Sequence, residues 1–351
     1  MQVDLAKPAD SFVDSIGVTA HVRYSDRAYW NYDGILKPRL LESGIRHVRA
    51  DVQEGWTKPI VISRLKDLGK SGIKLNLVVS PWNGSPENAR RNAIDLKDML
   101  VSVEGPNEWD EKNPIRYRQQ DFPKGLELFQ GDLYRAIKSE TQLKNIPVIA
   151  PSGFYYENFK SLEQLNLPCD YGNMHSYPGG QPPSTPRLTT VFTHWAKQIC
   201  PNKPVMATET GYYTATNNLN DPWHTPVSEK GGGRYINRLL FDYFNRGIRR
   251  TYLYELIDQG ADDDRESRFG LVRENGQPKL AFTAVRNTIA LLKDPGGEFI
   301  PNALRYTIQS PSTVKRTICK SGMADFTWCC GMMWSATMRP GKKTLSRFGR
   351  R

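Results

Sequence analysis

The chain has 351 residues, 38% of them hydrophobic and 24% charged, a balance too apolar for a disordered polyelectrolyte. It holds no apolar run near the ~18 residues that cross a bilayer, so the composition is that of a soluble globular protein with no membrane partner. Its net charge of +11 sits at one end: Pro301 to Arg351 carries ten Lys and Arg against one acid, Asp325. The first 300 positions are left nearly neutral, with no basic face for nucleic acid.

The opening stretch MQVDLAKPADSF lacks a cationic segment followed by an apolar one, so no secretory signal is read in it. The protein is then cytoplasmic, or extracellular if a leader is missing from this chain. Beyond it, short β-branched or apolar runs recur at 15–22, 45–51, 73–80, 100–108, 146–153, 169–177, 203–211 and 250–258. Helically spaced segments lie between them. In one, Leu126, Phe129, Leu133 and Ile137 recur at offsets of three and four and make a single apolar stripe. Further helices are predicted at 187–199, 233–246 and 279–293. Gly44, Gly72 and Gly247 each fall where a helix C-cap is needed before the next strand. Eight strand-helix units with nearly uniformly apolar strands predict an α/β fold, a (β/α)8 TIM barrel over residues 1–293. The alternative, an open doubly wound sheet, lacks a glycine fingerprint after any strand; the GGG at 231–233 reads as a flexible cap. Cys169 and Cys200 read as buried or incidental thiols.

In such a barrel the chemistry sits at the C-terminal ends of the strands. Glu108 closes the fourth run in VEGPNEWD, and Glu209 closes the seventh in MATETGY. Strands four and seven face one another across the mouth. Carboxyl groups about 5 Å apart suit a nucleophile and an acid/base, whereas a gap of roughly 6.5 to 9.5 Å leaves room for water and inversion. Either acid alone reads as a polar strand terminus; the two together, one preceded by Asn107, shift the reading toward catalysis. Glu104, Asp110, Glu255 and Asp258 are further acids near the mouth, expected to bind hydroxyls or to pair locally. The acidic run 261–266 lacks the ligand spacing of a calcium loop and reads as a solvated turn.

The residues Asn107-Glu108, Glu209, Arg49 on strand two, and His175 with Tyr177 after strand six resemble those of clan-A glycoside hydrolases, in the style of families 39 and 5, over residues 12–293. The stretch FGLVRENGQPKLAFTAV resembles the run into the last helix of these families. The resemblance implies a retaining glycoside hydrolase acting on a β-linked glycoside or polysaccharide, without cofactor or metal. Glu209 attacks the anomeric carbon, and Glu108 protonates the leaving oxygen and later activates water. Asn107 contacts the sugar 2-OH, Arg49 and Tyr177 hold Glu209, and His175 joins the same network. Arg49 reads equally as an interior ion-pair partner of Asp51 or another strand-end acid, and His175 and Tyr177 as satisfied core residues.

Trp56, Trp82, Trp109, Tyr212, Tyr213 and Trp223 offer flat faces for sugar rings, Trp82 foremost. Two departures from the families leave the sugar subsite open: Trp109 follows the Asn-Glu pair where Pro is common, and strand eight carries Tyr254-Glu255 where a Trp is common. The other functions considered are a carbohydrate-binding barrel without turnover and a metal-dependent hydrolase. The second needs clustered ligands, and the five histidines include no HxH pair.

Residues 294–351 read as the remnant of a small C-terminal β-domain followed by an aberrant basic tail. From about Ile318 the paired Cys329 and Cys330, the clustered Met and Trp, and the loss of periodicity point to a truncated or frameshifted end, expected to be disordered after about 317.

Overall fold

The computed structural model describes residues 2–110, 114–153, 156–165, 167–217, 224–296, 299–307, 309, 314–322 and 326–332. Each of the eight predicted runs contains a strand: Ile16–Thr19, His47–Asp51, Lys74–Val78, Leu100–Glu104, Val148–Ile149, Gly172–His175, Val205–Thr210 and Thr251–Leu253. They form one parallel sheet in which the eighth strand lies beside the first, Thr251 opposite Ile16. The gap between the fifth and sixth strands is spanned by a parallel bridge from Ile149 to Tyr171, which nearly closes the ring into a (β/α)8 barrel. At Gly17 in the first strand a Cβ would stand 2.3 Å from the Tyr252 ring, so only glycine lets these two strands pair.

The helices cover the ring by the stripe read from sequence. Leu126, Phe129, Leu133 and Ile137 of helix Lys124–Lys138 are fully buried, each worth about 1.5–3 kcal/mol by area removed from water. Gly44, Gly72 and Gly247 adopt φ of 73°, 84° and 78°, the left-handed conformation that ends a helix. Two boundaries differ from expectation. The fourth strand ends at Glu104, not Glu108, because Pro106 has no N–H to continue the ladder. The helix expected to begin at 233 spans Glu229–Asn245, because Ser228 Oγ accepts from Gly231 N at 3.1 Å and caps it. The GGG run therefore lies inside the helix, and a Cβ on Gly233 would sit 3.0 Å from Leu280 Cβ of the following helix.

Cys169 and Cys200 are joined as a disulfide rather than standing as separate thiols. Cys169 precedes the sixth strand and Cys200 ends the helix packed on that strand, so folding brings together residues 31 positions apart. The chain termini also differ from a simple barrel-plus-remnant division. Gln2–Leu5 pairs antiparallel with Ala303–Tyr306, and Lys7–Pro8 pairs parallel with Val314–Lys320. The latter strand pairs in turn with Phe326–Met332, so paired backbone extends past 317, where order was expected to end. Thr317, Ile318 and Cys319 are buried, and Asn245 Nδ2 donates to Thr317 Oγ1 at 2.8 Å. The N-terminal strands and a barrel helix supply partners that the periodicity of the tail alone does not reveal. Positions from 333 onward lie outside the described residues.

Candidate active site

A cavity of about 480 Å³ opens at the C-terminal ends of the barrel strands. It is lined by Arg49, Trp82, Asn107, Glu108, His175, Tyr177, Glu209 and Tyr254, all singled out from sequence. Beneath it the barrel interior is polar. Ser102 Oγ donates to Asn76 Oδ1 at 2.7 Å, and Asn76 Nδ2 donates to Glu104 Oε2 at 2.6 Å. Asn173 and Thr208 reach the other oxygen of Glu104 at 3.4 and 3.0 Å.

Arg49 joins this floor to the cavity. Its Nε and Nη2 donate to the two oxygens of Glu104 at 2.9 and 2.8 Å, its Nη1 donates to Glu209 Oε1 at 2.6 Å, and Nη2 also reaches Asn107 Oδ1 at 2.5 Å. Asp51, weighed as its partner, instead pairs with Arg23 at 2.6 Å. One guanidinium thus holds a structural carboxylate and an active-site carboxylate in a fixed fork. Burial disfavours charge on Glu104, yet the Arg49 guanidinium with its two bonds and the His175 ring 3.9 Å away bring its carboxyl down to about 2.

Glu209 is the penultimate residue of the seventh strand and is buried. Its Oε2 accepts from the Tyr177 hydroxyl at 2.7 Å. Burial alone would raise its pKa, but the positive charges of His175 and Arg49 and the Tyr177 bond hold it below the usual carboxylate range. Glu108 behaves in the opposite sense. It lies four residues past the fourth strand with φ 45°, a left-handed conformation uncommon outside glycine. The loop is held by Asn107 N donating to Ser80 Oγ at 2.9 Å and Glu108 N to Ser152 Oγ at 3.2 Å. Burial pushes the Glu108 carboxyl up, and the negative charge of Glu209 adds to this against the lowering charge of His175.

His175 sits between the two. Its Nδ1 is 2.6 Å from Glu108 Oε1 and 3.5 Å from Glu209 Oε2, and its Nε2 is 3.0 Å from Thr208 Oγ1. Burial works against its charge, but the carboxylates of Glu209 and Glu108 raise it to about 9, so both ring nitrogens carry protons at neutral pH. Among the described residues, Glu108, His175 and Glu209 form the only trio whose ligand atoms, all within 4.8 Å of one another, could take a metal ion. A metal there would have to displace a proton from His175 and compete with Arg49 and Tyr177, whose donors already occupy both Glu209 oxygens.

The aromatic candidates divide. Trp82 lines the cavity and is half-buried. Trp109, Tyr212 and Tyr213 are buried in the packed interior and present no platform. Trp56 is exposed, edge-on to Trp30, and does not line the cavity. Trp223 lies outside the described residues. Two of the spare acids pair locally: Glu255 accepts from Tyr29 OH at 2.9 Å and lies 3.1 Å from His21 Nε2, and Asp258 pairs with Lys279 at 2.7 Å. In the acidic turn, Asp264 caps Ser267 N at 2.8 Å. The cavity also uses residues the sequence reading passed over. His21, Arg23 and Tyr24 directly follow the first strand, and the strand-end rule applied elsewhere would have found them. Arg187 and Phe192 lie at the start of the helical segment read at 187–199, which is not a strand end and carries no such signal.

No protein-family model and no curated protein matches the chain. Solved structures do. A family 39 glycoside hydrolase from the gut symbiont Bacteroides cellulosilyticus WH2 aligns with a TM-score of 0.60 at 16% identity, over 94% of this chain and 73% of that one. The GH39 enzyme from Xanthomonas axonopodis pv. citri gives 0.56 at 18%, over 91% and 71%. GH5_18 from Streptomyces cattleya, solved with GlcNAc, gives 0.57 at 14%, over 84% and 82%. The fold is the barrel that these glycoside hydrolases share.

Proposed function

We propose that the protein is a glycosidase that cleaves a β-linked glycoside or polysaccharide with retention, through a covalent intermediate on Glu209. The observation that carries this reading is the pairing of Glu108 and Glu209 across one cavity, with oxygens within 4.8 Å and pKa shifts of opposite sign. That spacing agrees with the ~5–5.5 Å of retaining pairs rather than the ~6.5–9.5 Å of inverting ones. Glu209, ionised and held by Arg49 and Tyr177, attacks the anomeric carbon. Glu108, whose pKa burial and the charge of Glu209 raise, gives its proton to the leaving oxygen. Once Glu209 is esterified its negative charge is gone, the Glu108 pKa falls, and the carboxylate takes a proton from the water that releases the sugar. Asn107, fixed by Arg49, offers its amide to the sugar 2-OH, and Trp82 a face to the ring.

The test is incubation with 2-deoxy-2-fluoro aryl β-glycosides followed by peptide mapping. A label on Glu209 is expected, and Glu209→Gln should lose turnover by at least about 10⁴-fold, the scale of nucleophile removal in covalent enzymes. Labelling elsewhere, or hydrolysis surviving in Glu209→Gln, overturns the assignment.

A further inference from the structure

One cation in the cavity has no part in the chemistry above. Four arginines line the space: Arg49 is matched by Glu104 and Glu209, Arg23 by Asp51, and Arg265 stands 3.0 Å from Glu266. Arg187 has no ion pair with any described residue. Its side chain is exposed to the cavity, with the guanidinium carbon 5.5 Å from the centre of the Phe192 ring, itself part of the lining. The imidazolium of His175 faces Glu108 and Glu209 and is matched as well, so Arg187 is the positive charge left over in the lining. In a concave site with low-dielectric walls this excess is focused on whatever enters.

We infer that the substrate carries an anionic substituent, a carboxylate or a sulfate, which Arg187 takes while the adjoining ring lies on Phe192. The proposal rests on the glycoside reading of this cavity and narrows its substrate class. A guanidinium presents a planar fork that matches a carboxylate or sulfate with two N–H donors, and the resulting charge-assisted bonds are roughly twice as strong as neutral ones. A neutral hydroxyl at the same place uses one donor and leaves the charge unmatched.

Calorimetric titration of the full chain with methyl β-D-glucoside, methyl β-D-glucuronide and methyl β-D-glucoside 6-sulfate tests this without requiring turnover. At least one of the two anions is expected to bind about tenfold or more tighter than the glucoside, the lower end of what a hydrogen bond to a charged group provides. Which anion leads separates carboxylate from sulfate. Arg187→Glu should abolish or invert the preference and Arg187→Lys should keep part of it, with melting temperatures unchanged because the side chain is exposed. Equal binding of all three, binding of none, or a preference that survives in Arg187→Glu overturns the proposal. The two readings fail separately. A charge preference in a protein that hydrolyses no aryl glycoside defeats the glycosidase and spares Arg187, whereas hydrolysis of neutral and anionic aryl glucosides with equal kcat/KM, unchanged for both in Arg187→Glu, does the reverse.

Discussion

The barrel holds two buried histidines paired to carboxylates, one at each end, and they are driven to opposite charge states. At the N-terminal end, His47 Nε2 is 2.8 Å from Asp14 Oδ1 while Arg250 Nη2 donates to Asp14 Oδ2 at 2.9 Å. Burial, with Arg250 and Lys74 nearby, lowers His47 to about 4 despite the Asp14 bond, and it is neutral. At the mouth, His175 faces Glu108, Glu209 and Glu104, rises to about 9, and is charged. Burial is nearly the same in both. The charges around each ring decide: one carboxylate shared with two cations leaves an imidazole neutral, whereas an excess of acidic groups around one imidazole charges it. A histidine paired to an acid is therefore not by itself a mark of function, whereas one surrounded by an excess of acids at the strand C-termini is.

The strongest way to break this contrast is through the cation the mouth shares with its floor. Arg49→Met leaves Glu104 fully buried without its guanidinium and should cost about 3–5 kcal/mol in urea unfolding at neutral pH. With Arg49 gone, burial favours the protonated acid, so the loss should shrink as pH falls; a loss that stays constant with pH would contradict the ion-pair account. At the base, Asp14→Asn should cost less, about 1–3 kcal/mol, by leaving the buried Arg250 short of its acceptor. Its kcat/KM profile against pH should coincide with that of the unmodified protein, and any displacement would show that the two ends are coupled.

Smaller effects sharpen the contrast. The acid limb of the kcat/KM profile should lie below the ordinary carboxylate range through Glu209, and the alkaline limb above it through Glu108. The His175 charge lowers both groups, so His175→Gln should move both limbs to higher pH; movement of one limb alone would mean that His175 serves one acid only. Stability linkage has opposite signs at the two ends. His47, lowered to about 4 from an ordinary 6.5, takes up its proton later in the folded than in the unfolded chain, so the base loses stability as pH falls from about 6.5 toward 4. Asp14, also depressed, adds a contribution present above the ordinary aspartate range and lost below it. His175, raised to about 9, contributes stability fully present below about 6.5 and lost as pH rises through 9. Urea midpoints of His47→Gln and His175→Gln across pH separate the two contributions, the first flattening the acid side and the second the alkaline side.

Much of this was legible in the chain. The eight runs, the glycine caps and the stripe of helix Lys124–Lys138 are local patterns, fixed by steric and amphipathic rules within a few residues. Glu108 and Glu209 could be singled out because each follows an apolar run closely in sequence, although Glu108 lies in the loop after its strand and Glu209 within its strand. The Cys169–Cys200 bond and the pairing of the first eight residues with the C-terminal strands were not legible, because each depends on a partner 31 or more positions away, whereas the end of the fourth strand at Pro106 was a local signal that the apolar run obscured. Trp109 shows the same limit: a tryptophan beside the acid looks like a platform, and only packing shows its ring inside the core.

The amino-acid order by itself determined a ring of eight strand-helix units and two acids near the C-terminal ends of its fourth and seventh strands. Tertiary structure decided which acid Arg49 holds, that Glu104 serves as the floor, and which histidine carries a charge. Strand propensity and apolar spacing act over a few bonds, whereas a proton's free energy depends on every charge within a few ångströms, and ring closure alone sets those distances between strands far apart in sequence.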